Sequence, residues 1–240
     1  MIYRAFVTEE VEGAFVSSIK EMDTQNLPAG DVLVNVKYSS LNYKDALSAS
    51  GNKGVTKTYP HTPGIDSAGV VVESASDTFK PGDEVIVIGY DLGMNTPGGY
   101  GEYIRVPSEW VVKLPVGLTM KEAMIIGTAG FTAAMSLLRL SELVKPADGK
   151  VLVTGATGGV GSVALSLLAK AGYHAVAVSG KESEIDYLKK LGASEVILRA
   201  DFQQVDKRPM LSGAYAGAID TVGGVALENI LKQLQLHGAV

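Results

Sequence analysis

Apolar and polar positions follow two different rhythms along this chain. From Tyr3 to about Pro115 they alternate in short runs broken by turn residues, as in Asp31–Tyr38 and Ala68–Glu73 with Pro81-Gly82 beyond them. A period of two between turns predicts β-strands, and here a β-rich domain in the form of a partly open barrel. Two stretches depart from it: Asn42–Ala46 reads as a helical turn after a strand, and Gly89–Gly101 is a glycine-rich loop of the length that often carries function. A helix is predicted after Thr119, whose spacing to Glu122 fits a capping box, and another over Phe131–Leu140 with Met135 and Leu138 on its buried side. These two helices are expected to bridge the domains. Beyond them the rhythm becomes strand, helix, strand: Val151–Thr154, Val160–Ala171, Ala175–Val178, Ile185–Leu191, Glu195–Leu198, Ala216–Asp220, then Val225–Leu234. That order predicts a parallel, doubly wound sheet. His237-Gly238 reads as a helix-ending glycine followed by the start of a fifth strand, so the sequence is expected to be a fragment of a longer protein.

The first strand of the second region runs into Thr154-Gly-Ala-Thr-Gly-Gly-Val-Gly161 and then into a helix with Val160, Val163, Ala164, Leu167, Leu168 and Ala171 on one face. Strand, tight glycine turn and helix N-terminus form an anion site, because the first backbone N–H groups have no partner within the helix and carry the positive end of its dipole. The dinucleotide fingerprint is imperfect: it reads Ala156-x-Gly158-x-x-Gly161, with Gly155 one place early. Gly158 and Gly159 leave no side chain to block a pyrophosphate, so Thr157, Gly158, Gly159 and Val160 are the candidate contacts, and Gly161 lets the helix press close to the sheet. A second strand ends roughly 20 residues further on, where a dinucleotide fold reads the ribose. An NAD enzyme would place an acidic residue there, whereas this chain has Ser179-Gly-Lys181, a hydroxyl and an ammonium suited to a 2′-phosphate. NADPH is therefore the expected cofactor. Arg199, at the end of the third strand, is placed either beside the same phosphate or in a surface ion pair.

Composition narrows the classes. The 240 residues are 46% hydrophobic with a mean hydropathy of +0.18, enough apolar material for sizeable cores. A net charge of −5, with no run of like charges, argues against nucleic acid or an anionic membrane as the main partner. There is no cysteine, hence no disulfide, thiol nucleophile or thiolate metal site. The N-terminus lacks a signal-peptide pattern and no apolar run is expected to approach a membrane span, so a soluble cytoplasmic protein is the default.

Taken together, Asn42-Tyr-Lys-Asp45, Pro63-Gly-Ile-Asp66, Gly127-Thr-Ala-Gly130, the Ala156–Gly161 turn and Asp220-Thr-Val-Gly-Gly224 make the chain resemble the medium-chain dehydrogenase/reductases. More narrowly, it resembles their zinc-independent quinone oxidoreductase-like branch of the YhdH/YhfP type, which includes acrylyl-CoA reductases. The resemblance implies a GroES-like substrate domain over residues 1–120 and a Rossmann NADP-binding domain over 121–240, both incomplete, with the segment that closes the substrate domain missing. It also implies a homodimer for the full-length protein. Where zinc-dependent relatives carry a cysteine and a histidine, this sequence has Asn42 and Ile65, so no metal is expected. His61, His174 and His237 are read as structural or surface residues.

The resemblance puts Tyr43 at the nicotinamide pocket as the candidate proton or hydrogen-bond donor, with a phenol that only shapes the pocket as the alternative. It assigns Asn42 and Thr128 to the nicotinamide ribose and carboxamide. Asp45 and Asp66 either anchor loops or touch ligand. Without a metal or a flavin motif, the chemistry left is direct hydride transfer to a conjugated carbonyl, with the resulting enolate stabilised by hydrogen bonds. Three functions are open: reduction of an enoyl thioester such as acrylyl-CoA, reduction of a quinone or enone, or NADPH binding without turnover.

Overall fold

The computed structural model describes residues 1–204 and 208–240, which divide into two compact units, Met1–Thr128 and Ala129–Val240. In the first, β1 (Ile2–Val11) and β2 (Ala14–Asp23) form an antiparallel hairpin turned by Glu12 and Gly13, both at positive φ. β3 (Val32–Tyr38) leads to α1 (Tyr43–Ala49), followed by β4 (Asp66–Ser74), β5 (Glu84–Ile88), β6 (Tyr103–Val106) and β7 (Val111–Lys113). These five strands form an antiparallel sheet in the order β6-β3-β4-β5-β7. Val32, Val34, Val71, Val85, Val87 and Ile104 fill its inner face, the outcome that alternation dictates when one face of a sheet is buried.

The glycine-rich stretch 89–101 is not loose. Its backbone bonds to the Thr62–Gly64 segment through Gly98 N–H to Thr62 O (2.8 Å), Gly99 N–H to Gly64 O (2.8 Å) and Tyr100 N–H to Pro63 O (3.0 Å). The two main chains lie so close that a Cβ on Gly93 or Gly98 would stand 2.5 or 2.3 Å from the backbone of Gly64.

α2 (Met120–Leu143) starts as the capping pattern predicts: Glu122 N–H donates to Thr119 Oγ1 at 3.2 Å, and the Glu122 carboxylate accepts from the Thr119 N–H at 2.9 Å. Two features differ from expectation. The two predicted helices are separated by a single non-helical residue, Gly127, at φ 48° and ψ −161°. Met135 and Leu138 are exposed; the buried side carries Ala133 and Leu140, with Val144 just beyond, because the packed stripe sits on the neighbouring face of the helix. The segment is also long and apolar enough to cross a membrane by length and composition, which corrects the expectation that no apolar run approaches a span. The break at Gly127 leaves Thr128–Leu143, shorter than the about 20 residues a span needs, and Ala133 and Leu140 pack into the core of the second unit.

The second unit alternates β8 (Lys150–Val153), α3 (Gly159–Lys170), β9 (His174–Ser179), α4 (Ile185–Lys190), β10 (Glu195–Leu198), α5 (Arg199–Phe202), β11 (Tyr215–Ile219), α6 (Gly224–Gln233) and β12 (Leu234–Ala239). The sheet is parallel throughout, in the order β10-β9-β8-β11-β12. Both faces are covered: Val151, Val153, Ala175 and Ala177 belong to one core, and Leu152, Val176 and Val178 to the other. In α3 the fully buried positions include Leu165, absent from the predicted face, whereas Ala171 is exposed. The C-terminal reading needs a larger correction. α6 ends at Gln233 without a glycine, and Gly238 lies inside β12 rather than capping a helix. The strand is irregular: its pairing with β11 shifts register between Tyr215 and Gly217, and His237 takes a φ of 67°.

Candidate functional site

Strand order in the second unit runs outward in opposite directions from β8, and ligands of open α/β sheets bind at the carboxyl ends of strands where the order reverses. β8 ends there in the glycine turn. Gly155 turns the chain at φ 58°, and a Cβ on it would lie 2.2 Å from Thr221 Oγ1, so the glycine one place early is the one the turn requires. Ala156 is wholly buried and its N–H reaches Val178 O at 3.3 Å. Gly161 brings α3 against the turn: a Cβ there would be 2.4 Å from Gly155 O and 2.8 Å from Ala156 Cα. The N-cap of α3, Gly158, offers no side chain to the helix, and Gly158 and Gly159 are exposed, with Thr157 and Val160 half-buried beside them. Uncapped first-turn amides next to bare glycines suit a pyrophosphate. The Asp220–Gly224 motif braces the turn: the Thr154 hydroxyl donates to Asp220, and the Thr221 hydroxyl donates to Thr154 O at 3.0 Å.

A cleft of about 120 Å³ opens beside the turn and brings together Thr157, Ser179, Lys181 and Arg199. Ser179 is 2% exposed, and its hydroxyl accepts from Lys181 N–H at 3.0 Å and donates to Lys181 O at 3.2 Å. Its proton is thus committed to the shape of the turn. Lys181 and Arg199 are exposed, and among the described residues neither makes an ion pair. Sequence reasoning missed Gly180, which separates the two polar residues of this turn and lies directly under the Arg199 guanidinium.

The remaining candidates, Asn42, Tyr43 and Thr128, belong to the first unit. Two buried carboxylates organise them. Asp45 accepts from the N–H groups of Asn42 (2.8 Å), Gly64 (3.2 Å) and Ile65 (2.9 Å) and from the Tyr100 hydroxyl (3.1 Å). Burial, and then the negative charge of Asp45, push the Tyr100 hydroxyl well above the usual phenol range. Asp66 is 0% exposed and accepts from Asn42 Nδ2 (3.0 Å), Thr128 N–H (2.9 Å) and the Thr128 hydroxyl (2.5 Å). Asn42 and Thr128 are therefore held by one carboxylate, and both aspartates serve as anchors. Because these donors point at Asp66, the Asn42 amide oxygen and the Thr128 hydroxyl oxygen keep acceptor capacity. Tyr43, on the first turn of α1, is 80% exposed with its hydroxyl unbonded among the described residues.

The donor set does not fit zinc. Asn42 is engaged through its amide nitrogen by Asp66, Ile65 has no donor side chain, and among the described residues no three His, Cys, Asp or Glu side chains cluster.

The chain matches the family profile described as alcohol dehydrogenase GroES-like domain over residues 28–116 and that described as zinc-binding dehydrogenase over residues 159–240. It is 47% identical over 238 residues to "Probable acrylyl-CoA reductase AcuI" of Escherichia coli, covering 99% of this chain and 73% of that protein. It is 45% identical over 240 residues to "Putative quinone oxidoreductase YhfP" of Bacillus subtilis, covering 100% and 73%. The crystal structure of E. coli YhdH with bound NADPH superimposes with a TM-score of 0.94 at 46% identity, over 98% of this chain and 73% of that one. That of B. subtilis YhfP with NAD bound does so with a TM-score of 0.94 at 44% identity, over 99% and 73%. With a GroES-like unit followed by a Rossmann unit built around the Gly155–Gly161 turn, the chain belongs to the medium-chain dehydrogenase/reductase superfamily, in the branch of YhdH and YhfP.

Proposed function

We propose that the protein is an NADPH-dependent reductase of conjugated carbonyl compounds, with acrylyl-CoA or a related enoyl thioester as acceptor. The observation that carries the cofactor reading is the pair of cations, Lys181 and Arg199, at the cleft beside the uncapped start of α3. A 2′-phosphate supplies the charge that neither finds elsewhere among the described residues. The likeness to a structure with bound NADPH supports the same choice, and the NAD in the YhfP structure makes the preference worth measuring.

On this reading Thr157, Gly158, Gly159 and Val160 hold the pyrophosphate, and Ser179, Lys181 and Arg199 surround the adenosine ribose. Asn42 and Thr128 use their acceptor oxygens on the nicotinamide ribose hydroxyls and carboxamide. NADPH, when bound, supplies the hydride. Tyr43 donates a hydrogen bond to the acceptor oxygen, where negative charge develops, and so stabilises the enolate, which then takes a proton at the α-carbon or at oxygen to complete the reduction.

The acrylyl-CoA reductase among the relatives favours a thioester acceptor; the quinone oxidoreductase favours the second reading, a quinone or enone. NADPH oxidation followed with acrylyl-CoA, with a quinone and with no acceptor tests both. Faster turnover of acrylyl-CoA is expected. A higher kcat/KM for the quinone would install the second reading, and NADPH binding without acceptor-dependent oxidation would leave a binding protein.

A further inference from the structure

Gly180 is not among the glycines of the chain that take a positive φ, so no left-handed backbone accounts for the missing side chain. What a side chain would have to displace is the movable end of the neighbour across the cleft. A Cβ on Gly180 would stand 2.3 Å from Nη2, 2.7 Å from Cζ and 2.9 Å from Nε of Arg199, so the guanidinium occupies the space a side chain would take. Arg199 is exposed and begins the four-residue α5; its carbonyl accepts from the Gln203 N–H at 2.9 Å, but its side chain makes no hydrogen bond or ion pair among the described residues, although Asp201, Glu182 and Glu184 lie on the same or adjoining segments. The guanidinium's seat is therefore steric: the bare Cα of Gly180. The seat itself is fixed, because the Ser179 hydroxyl closes the turn onto both the N–H and the carbonyl of Lys181.

We propose that Gly180 is a specificity-determining residue, whose missing side chain lets Arg199 lie beside Lys181 and so makes the protein prefer a 2′-phosphorylated adenine dinucleotide. This rests on the cofactor reading above and deepens it. A planar guanidinium and an ammonium on adjoining sides form a charged socket that recognises a phosphate and has no partner in a ribose hydroxyl. A side chain at position 180 turns the guanidinium out toward water and leaves Lys181 alone.

Calorimetric titration of the purified protein with NADP⁺ and NAD⁺, and with adenosine 2′,5′-bisphosphate and AMP as probes of the adenosine end, tests this without turnover. Gly180→Ala and Gly180→Val should weaken NADP⁺ and the bisphosphate about tenfold or more and leave NAD⁺ and AMP within about twofold. Adding Gly180→Val to Arg199→Ala should cost nothing further, because both remove the same contact. If Arg199→Ala lowers the NADP⁺ preference while both Gly180 variants keep it, the Gly180 role is wrong and the cofactor reading stands. Equal weakening of NADP⁺ and NAD⁺ by the Gly180 variants would also overturn it, as a general disturbance of the turn. If Arg199→Ala and Lys181→Ala both leave the preference unchanged, the cofactor reading itself fails.

Discussion

Asp66 grips Thr128 twice, through Oδ1 to the hydroxyl at 2.5 Å and through Oδ2 to the backbone N–H at 2.9 Å, across 62 residues of sequence. The same Oδ2 takes the Asn42 amide, so one buried carboxylate sets two candidate nicotinamide contacts.

Asp66→Asn turns one acceptor into a donor that faces donors. With a buried group left unsatisfied, it should destabilise the first unit by roughly 1–3 kcal/mol. Urea unfolding measures this. The variant should also lose turnover while still binding adenosine 2′,5′-bisphosphate, whose proposed contacts all lie in the second unit. Weakened bisphosphate binding would show that Asp66 acts on general folding rather than on Asn42 and Thr128.

Tyr43→Phe removes one exposed hydroxyl and keeps the ring. If the phenol stabilises charge on the acceptor oxygen, kcat should fall roughly 10²-fold with NADPH affinity unchanged. An unaltered kcat would leave Tyr43 as pocket wall, with the enolate taking its proton from solvent.

Gly161→Ala drives a methyl group into the backbone of Gly155 and Ala156. Neither neighbour can rotate away, so the turn must shift, at about 1–3 kcal/mol, and dinucleotide affinity should drop for NADP⁺ and NAD⁺ alike. That equal loss is the opposite of the pattern expected for Gly180. A preference change at Gly161 would contradict its role as a packing contact.

His61 is 5% exposed and its Nε2 has no partner among the described residues. Burial holds its protonation below the ordinary value of 6.5, against the Gly93 backbone and the Asp91 charge, which pull the other way. The unfolded chain therefore binds the proton first. Stability from this group is whole above 6.5 and declines as the pH falls below it, because protons then favour the unfolded state. Urea midpoints compared on both sides of 6.5 should fall less in His61→Gln than in the parent protein; parallel declines would remove His61 as the source.

The parts of this structure written in local chemistry were legible in the sequence. Thr119 and Glu122 satisfy each other's backbone neighbours three residues apart, and the strand–turn–helix at Val151–Ala171 needs no distant contact to be recognised. What escaped depends on distant partners. Gly127 looks like any glycine in a helix until Ser40 and Asp66 arrive within 3 Å of where its Cβ would be. The buried stripe of α2 was misplaced because apolar residues surround the helix, and only the core of the second unit decides which side is covered. Leu234–Ala239 joins the sheet through β11, a pairing that the spacing of its leucines does not announce. Gly180 matters only because Arg199, a strand away, comes to rest on it.

The 89–101 loop is fastened to Thr62–Gly64 by main-chain atoms, glycine against glycine. Its shape is therefore independent of most of what it displays. Met94 and Pro97 can be exchanged as a printed text is exchanged on an unchanged page, while Gly64, Gly93 and Gly98 are the binding that holds the page in place and Asn95 adds a tie to the Lys57 N–H and to Asp91. A randomised library should recover folded protein with nearly any residue at 94 and 97 and with glycine alone at 64, 93 and 98, which makes this loop the place to graft a new preference without redesigning the unit that carries it.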